Sequence, residues 1–523
     1  MSRHFMRAGF FGRSSGFLGM LSLGVSACGA PEMEQTDGQE NVADEESTLL
    51  PGATDFSFNV FPQSQTFESE TDAATTTSGV TYVGYITSYS PGPEALITYV
   101  PNTVNGVTVE DRIVCAGASQ AGYTTRRANG LLTKSRMLPP PGTAVFWGDP
   151  ALTSIGNTVF YSNLTIPNTR FQSKVNFNGC MRFSDLDSRY YRTMGAADAI
   201  RGACIGKATV NQGVPGGFPS TQFTCFGNQF FLDGGSMAST TGFAYAAYRN
   251  TFNNTALIMK GAPAPGQQFV EIPASPVTGI IGHPVLTTVG NVIWMLAPTT
   301  TGLKLAGYSE TTNTWSAVTT IATDHSLGNV TLRNNTQIRS RGGHTIMTIS
   351  NPPAPSRLNI FYHKKSGNFM RIQGVSCGFG GDLVVGCGPV AKWVTPSTDN
   401  AFIPQAAQVS RQVPGQLFQS FRHFVSYYSD EGQPTGGVRV RFAEVTSTNA
   451  FTPTFAPGGG VQAPCVIPPD YWGDYDVMYS RNNGGANWGT LARMVTDSTQ
   501  HQCDKRAYRA FPQHVSEVTF TPQ

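Results

Sequence analysis

The stretch Gly148–Tyr161 reads G-D-P-A-L-T-S-I-G-N-T-V-F-Y, and it returns from Gly282 to Met295 as G-H-P-V-L-T-T-V-G-N-V-I-W-M. Six of the fourteen positions are identical: Gly148/Gly282, Pro150/Pro284, Leu152/Leu286, Thr153/Thr287, Gly156/Gly290 and Asn157/Asn291. Each copy joins a short strand to a β-branched and aromatic strand through Gly-Asn. That dipeptide supplies the positive φ angles of a two-residue hairpin turn. A hairpin that recurs 134 residues later marks an array of similar units.

Further copies extend the array. Asp72–Tyr85 aligns through Gly79 with Gly156, which sets Asp72 opposite Asp149 and His283. Ser236–Tyr248 is a third candidate, and Thr336–Ser350, with Gly342-Gly343 as its turn, a fifth. A weaker sixth surrounds Phe418–Tyr428. The seventh starts at Trp472-Gly473-Asp474-Tyr475-Asp476 and echoes Trp147-Gly148-Asp149. The spacing, about 45 to about 90 residues, fits a four-stranded propeller blade with its loops. Low charge (13%), 57 Gly, 34 Pro and 11% aromatics agree with an all-β body rich in hairpins. A lone blade leaves its sheet faces uncovered, so neighbours must stack and the ring must close. The expectation is a closed ring of seven four-stranded antiparallel sheets, or six if the sixth candidate belongs to a neighbour. A stack of β-sandwich domains is the competing architecture. It would show linkers, and none is visible after residue 54. Arg189–Arg201 is the one plausible short helix.

The N-terminal region has a different composition. Arg3, Arg7 and Arg13 precede a short apolar segment, Phe17–Ala27, as in a secretory signal. Val25-Ser26-Ala27-Cys28 resembles the lipobox of bacterial lipoproteins, and the resemblance implies that Cys28 carries the lipid. Residues 28–54 hold seven acidic residues and little that is apolar before Leu49, a composition that cannot build a core. The expected organisation is a signal segment over 1–27, an acidic tether over 28–54 and the propeller over 55–523. Without residues 1–27 the chain carries 32 basic and 33 acidic residues, which gives no reason to expect nucleic-acid binding. A lipid-anchored monomer on the bacterial cell envelope follows as the expectation.

The stretch Tyr479–Trp488, Y-S-R-N-N-G-G-A-N-W, resembles the Asp-box of bacterial neuraminidase repeats, S-x-D-x-G-x-x-x-W. Ser480, Gly484 and Trp488 match it. Asn482 replaces the Asp, and Gly485 follows in the turn. The phrase Trp472–Asp476 also resembles the final blade of secreted bacterial sialidase-like propellers. The resemblance implies a sialidase-type propeller. In that family an Arg triad holds the substrate carboxylate, a Glu activates a Tyr nucleophile and an Asp is the acid/base.

The chain departs from that pattern. No early R-I-P-like motif exists. After Glu110 only Glu271, Glu310, Glu431, Glu444 and Glu517 remain, none in a recognisable nucleophile-activating context. Arg182, Arg189, Arg192 and Arg201 cluster between the second and third blades. No H-E-x-x-H or phosphate loop occurs. The catalytic residues therefore stay unassigned. The repeat alignment instead makes a ring of Asp72, Asp149, His283 and Asp474 at one end of the channel. Asp476 lies on the same strand face, and Trp147 and Trp472 precede two of the acids. Such a ring could bind a glycan, a protein's basic group or a cation at the channel mouth; no other cofactor or metal is expected. The competing reading is that each Asp ties a backbone turn. The expected function is non-catalytic binding. The alternatives are a divergent exo-sialidase or other glycoside hydrolase, and a purely structural envelope protein.

Eight cysteines besides Cys28 make an even set in an exported chain, which implies disulfides. Sequence proximity favours Cys204–Cys225, Cys377–Cys387 and Cys465–Cys503, leaving Cys115–Cys180.

If Cys28 carries the anchor, Cys28→Ser moves the protein from the membrane fraction to the soluble fraction. Unchanged fractionation, read by immunoblot, rejects lipidation as the cause of attachment.

Overall fold

The computed structural model describes residues 55–57, 68–87 and 97–522 with internal breaks, the longer ones at 168–179, 185–201, 456–475 and 499–512. Cys28, Trp472, Asp474, Asn482, Gly484, Gly485, Cys465, Cys503 and the Arg189–Arg201 segment lie outside the described residues. The side chain of Trp147 does too.

Seven antiparallel sheets follow one another along the chain as the blades of a propeller. Blade 1 comprises Glu68–Thr75, Thr81–Thr87, Ala121–Arg126 and Leu132–Arg136; blade 2, Thr143–Ile155, Thr158–Pro167, Gly202–Thr209 and Thr224–Phe226. Blade 3 comprises Leu232–Ser239, Ala244–Asn250, Thr255–Gly261 and Val270–Glu271. Blade 4 starts with Val285–Val289 and Val292–Thr299, blade 5 with His344–Asn351 and Ala354–Ser366, and blade 6 with Ala401–Arg411 and Ser420–Ser429. Blade 7 holds Met478–Arg481, Thr490–Ser498 and Gln513–Phe520, and its fourth strand is Asp55–Ser57 from the other end of the chain. The first strand of each blade packs on the first strand of the next, and that of blade 7 on that of blade 1, so these strands form the inner ring. Among the described residues the helical structure is a single 3-10 turn, Ser220–Gln222.

The repeated hairpin behaves as its sequence reads. Ile155 pairs with Thr158 and Val289 with Val292, leaving Gly156-Asn157 and Gly290-Asn291 as two-residue turns. The φ angles of Gly156 and Gly290 are 58° and 57°. Two expectations need correction. Gly343 precedes the inner strand of blade 5, whose hairpin closes between Asn351 and Ala354. The sixth candidate covers the second strand of blade 6; the inner strand lies earlier, at Ala401–Arg411, and the blade is complete. The Gly-Gly and aromatic signals were real, but they marked a strand entry and a second strand rather than an inner hairpin.

Each seam between blades holds its own buried apolar cluster, seven in all among the described residues. The period-2 geometry of a strand sends alternate residues into opposite seams. Ile293 and Met295 of blade 4 pack toward blade 3, while Trp294 and Leu296 pack toward blade 5. A strand covered on both sides therefore reads as an unbroken apolar run.

The seam between blades 7 and 1 has a small cluster, Val83, Tyr85, Tyr479, Ala492 and Met494. Polar contacts supplement it. The fully buried Glu517 carboxylate accepts from Arg126 Nη1 of blade 1 at 2.6 Å and from Tyr479 Oη at 2.6 Å. Arg481 lies 3.3 Å from it.

Loop insertions of blades 1 and 2 build a further three-stranded sheet from Ile97–Val104, Val107–Cys115 and Cys180–Ser184. Arg182 lies in this sheet, within the insertion of blade 2 rather than between blades 2 and 3. Disulfides join Cys204 to Cys225 and Cys377 to Cys387, in each case register partners on the third and fourth strands of a blade. Cys115 and Cys180 are register partners as well.

Glu517→Gln leaves two arginines facing a neutral group in a closed seam. Breaking a buried ion pair on one side typically costs roughly 3–5 kcal/mol. The expected outcome is a large drop in melting temperature by calorimetry; Lys304→Gln, at an exposed hydrogen bond, should leave it nearly unchanged.

Candidate functional site

The inner ring has two ends: the end where its strands begin, and the end where the first hairpins turn. Most of the residues expected to form a ligand ring lie toward the first.

The alignment that equated Asp72 with Asp149 and His283 does not hold. Blade 1 turns through Thr76–Val80, a longer loop than the two-residue turns of blades 2 and 4. Counted back from the last paired residue of each inner strand, Asp72 corresponds to Leu152, Ser236 and Leu286. The contacts agree with that register. Leu152 N donates to Asp72 Oδ2 at 2.6 Å, and Leu286 N donates to Ser236 Oγ at 3.0 Å. Asp72 also accepts from its neighbour Ala73 N at 2.8 Å. Burial pushes its carboxyl up to about 7 in spite of those two amides.

Asp149 and His283 are equivalent to each other; Asp149 sits at a mid-strand bulge and His283 just before its strand. Asp149 lies in a bulge with φ 56°, and its Oδ2 accepts from Gly234 N of blade 3 at 2.9 Å. Gly234 sits in the equivalent bulge with φ 59°. A Cβ there would fall 1.5 Å from His283 Nδ1, so only glycine lets the ring of blade 4 close over blade 3. The His283 carbonyl in turn accepts from His344 Nε2 of blade 5 at 2.8 Å. Asp149, Gly234, His283 and His344 thus form a chain of contacts through four consecutive blades.

Asp476 is elsewhere. It is 4% exposed, accepts a hydrogen bond from Tyr428 Oη and lies 3.6 Å from Arg493 Nη2 in the seam between blades 6 and 7. Burial raises its carboxyl above the usual range, and Arg493 opposes that rise. The structure therefore places Asp72 and Asp149 on backbone amides of the next blade and Asp476 on a seam contact. Trp488 is half-buried against the core of blades 6 and 7, with the guanidinium groups of Arg411 and Arg422 4.5 and 5.4 Å from its ring centre. Ser480 is on the inner strand of blade 7.

The sequence shows no Tyr–Glu pair, and among the described residues the structure contains two: Tyr479–Glu517 and Tyr245–Glu310. Their surroundings oppose a nucleophilic role. Tyr479 and Glu517 are buried in the closing seam, Tyr245 is buried between blades 3 and 4, and in each pair burial and then the carboxylate push the phenol well above its ordinary value. An activated nucleophile needs its proton taken more easily, not held. Among the described residues no three His, Cys, Asp or Glu side chains converge as a metal site.

The turn end is different. Blades 2, 3 and 4 enclose an open depression of about 480 Å³, lined by Ser154, Gly156, Ser239, Thr240, Thr241, Thr288 and their neighbours. A ladder of hydroxyls underlies it. Ser154 Oγ donates to Thr75 O at 2.8 Å, Ser239 Oγ to Ser154 O at 2.8 Å, Thr288 Oγ1 to Ser239 O at 3.0 Å and Thr348 Oγ1 to Thr288 O at 2.7 Å. Each hydroxyl bonds the carbonyl of the preceding blade, from blade 5 back to blade 1. The signal was present in the repeat: Ser154 of T-S-I-G-N aligns with Thr288 of T-T-V-G-N, different residues that share a hydroxyl.

No protein-family model matches the chain, and no curated protein matches it. Solved structures with a similar arrangement include the NanB sialidase from Streptococcus pneumoniae, at 10% identity, TM-score 0.38 and coverage of 88% of this chain and 69% of that one. A subtype N10 neuraminidase-like protein from a little yellow-shouldered bat strain shows 10% identity and TM-score 0.36 over 77% of this chain and 99% of that one. The six-bladed fucose lectin of Aleuria aurantia shows 9% identity and TM-score 0.33 over 77% and 99%. Likeness at this level carries no argument about activity.

A pH dependence follows from the seam between blades 4 and 5. Burial lowers His344 to about 3 and His363 to about 4, with neighbouring His325 adding to both. In the unfolded chain both protonate near 6.5, so stability is lost as pH falls from that value toward 4. Asp72, raised to about 7, works in the opposite direction: its contribution is present at low pH and lost as pH rises through 7. Melting temperature should fall between pH 6.5 and 4, less steeply in His363→Gln and more steeply in Asp72→Asn. A wild-type profile flat in that window contradicts the assignment.

Proposed function

We propose that this protein is an exported, lipid-anchored propeller of the bacterial cell envelope that binds a glycan without hydrolysing it. The N-terminal sequence supports the anchor and the location: a basic start, a short apolar segment, Cys28 and an acidic stretch before the ring. One observation carries the binding role. The turn end of blades 2–4 offers a shallow, open, hydroxyl-bearing depression of about 480 Å³. Of its lining residues, Ser154, Ser239 and Thr288 are held in fixed orientation by the ladder. Such groups meet sugar hydroxyls with little conformational cost.

The same geometry disfavours hydrolysis. A glycosidase needs two carboxyl groups, or a Tyr–Glu pair, flanking the scissile bond. The depression is lined by neither: Tyr479–Glu517 is enclosed in a seam, and in Tyr245–Glu310, behind the wall, the phenol is fully buried. The site also differs from the one expected, since Asp149 and His283 belong to the other end of the inner strands and Asp149 holds Gly234.

Thr241 is exposed, lines the depression and takes no part in the ladder. Thr241→Trp should abolish binding on an oligosaccharide array while leaving the melting temperature unchanged. The wild type should not turn over an aryl sialoside. Turnover that is lost in Tyr479→Phe would establish the hydrolase alternative instead.

A further inference from the structure

The depression is rich in hydroxyls, but the direction of their protons limits what they can recognise. A Ser or Thr hydroxyl has one proton and two lone pairs. The protons of Ser154, Ser239 and Thr288 are directed at carbonyl oxygens of the preceding blade. The Thr240 proton is committed too: Thr240 Oγ1 donates to Glu310 Oε1 at 2.7 Å and accepts from Phe243 N at 3.2 Å. Thr240 N donates to Phe243 O and Gly242 N to Thr240 Oγ1, so these amides of the blade 3 turn are also directed inward. Ser154, Ser239 and Thr288 can therefore offer a ligand only lone pairs, one of those on Ser239 already taken by Thr153 Oγ1 at 3.1 Å, and Thr240, whose proton and lone pairs are all committed, offers neither.

The charges nearby have the same bias. Among the described residues no Lys, Arg or His lines the depression. One hydroxyl behind the wall stands the Glu310 carboxylate, which also accepts from Tyr245 Oη at 2.7 Å. Lys260, on the third strand of blade 3, lies over the Phe243 ring at 3.8 Å and does not line the site.

We infer that this depression selects by charge: it binds neutral sugars through their hydroxyl protons and refuses the same sugars once they carry a carboxylate or sulfate. The inference rests on the binding role proposed above and names its ligand class. A neutral sugar brings several O–H donors to a surface of acceptors. An acidic sugar must shed water from a charged group that needs a cation or several donors; it meets no cation in the lining and, among the lining hydroxyls, only the Thr241 proton is uncommitted.

The test uses the mature chain on an array in which each neutral oligosaccharide is printed beside its sialylated or sulfated counterpart. The expected result is binding to one or more neutral glycans, with the acidic counterpart weaker by about tenfold or more, ~1.4 kcal/mol. Thr241→Arg supplies a cation at the rim and should raise the acidic signal relative to the neutral one. Thr241→Trp should remove both. Acidic glycans bound as well as neutral ones, and lost in Thr241→Trp, would overturn the charge rule while leaving the site in place. Binding that survives Thr241→Trp, or no binding to any printed glycan, removes the site and the inference together.

Discussion

A closed ring must join the two ends of its chain, and here the buried Glu517 carboxylate does much of that work. Six of the seven seams lie between blades that follow each other in sequence. The seventh brings residues near 480 and 517 against residues near 83 and 126, across almost the whole chain. Closing so long a loop has an entropic cost that local contacts do not bear. Two features meet it. Asp55–Ser57 completes blade 7, so the chain passes directly from the edge of the last blade into the first. Glu517 then takes hydrogen bonds from Arg126 of blade 1 and Tyr479 of blade 7. A buried carboxylate tolerates no other arrangement cheaply, which makes the closing seam specific as well as stable.

The same economy governs the inner strands. Asp72, Asp149 and Ser236 each accept a backbone amide from the next blade, and the hydroxyl ladder at the turn end bonds each blade to the one before it. Side chains that face a channel in the sequence pattern are thus consumed in holding neighbours together. What remains for a ligand among the described residues is set by what the ring leaves over, chiefly acceptor lone pairs at the turn end. Tyr479–Glu517 and Tyr428–Asp476–Arg493 have the chemical makeup of reactive groups, yet burial and the adjacent carboxylates hold both phenols protonated.

Much of the fold was legible because hairpin geometry is local. Gly156-Asn157 and Gly290-Asn291 can turn a strand in few ways, and strands buried on both sides leave continuous apolar runs such as Val292–Ala297. Proximity sufficed for the Cys204–Cys225 and Cys377–Cys387 bridges because each spans two adjacent strands. The candidate site was less legible. An alignment through glycines assumed equal turns, and the longer Thr76–Val80 loop of blade 1 displaced Asp72 from its supposed equivalents.

The sequence by itself determined an all-β array of hairpin repeats, its near-neutral body and the distinct composition of residues 1–54. These properties depend on residues a few positions apart, where turn sterics and strand period act. The tertiary structure alone decided that Glu517 would meet Arg126 across 391 residues, that Gly234 would sit beneath His283, and that the protons of Ser154, Ser239 and Thr288 would face carbonyls rather than solvent. Those contacts cross between blades. Partner choice there follows from the bulges and register of two separate sheets, which no single stretch of chain encodes.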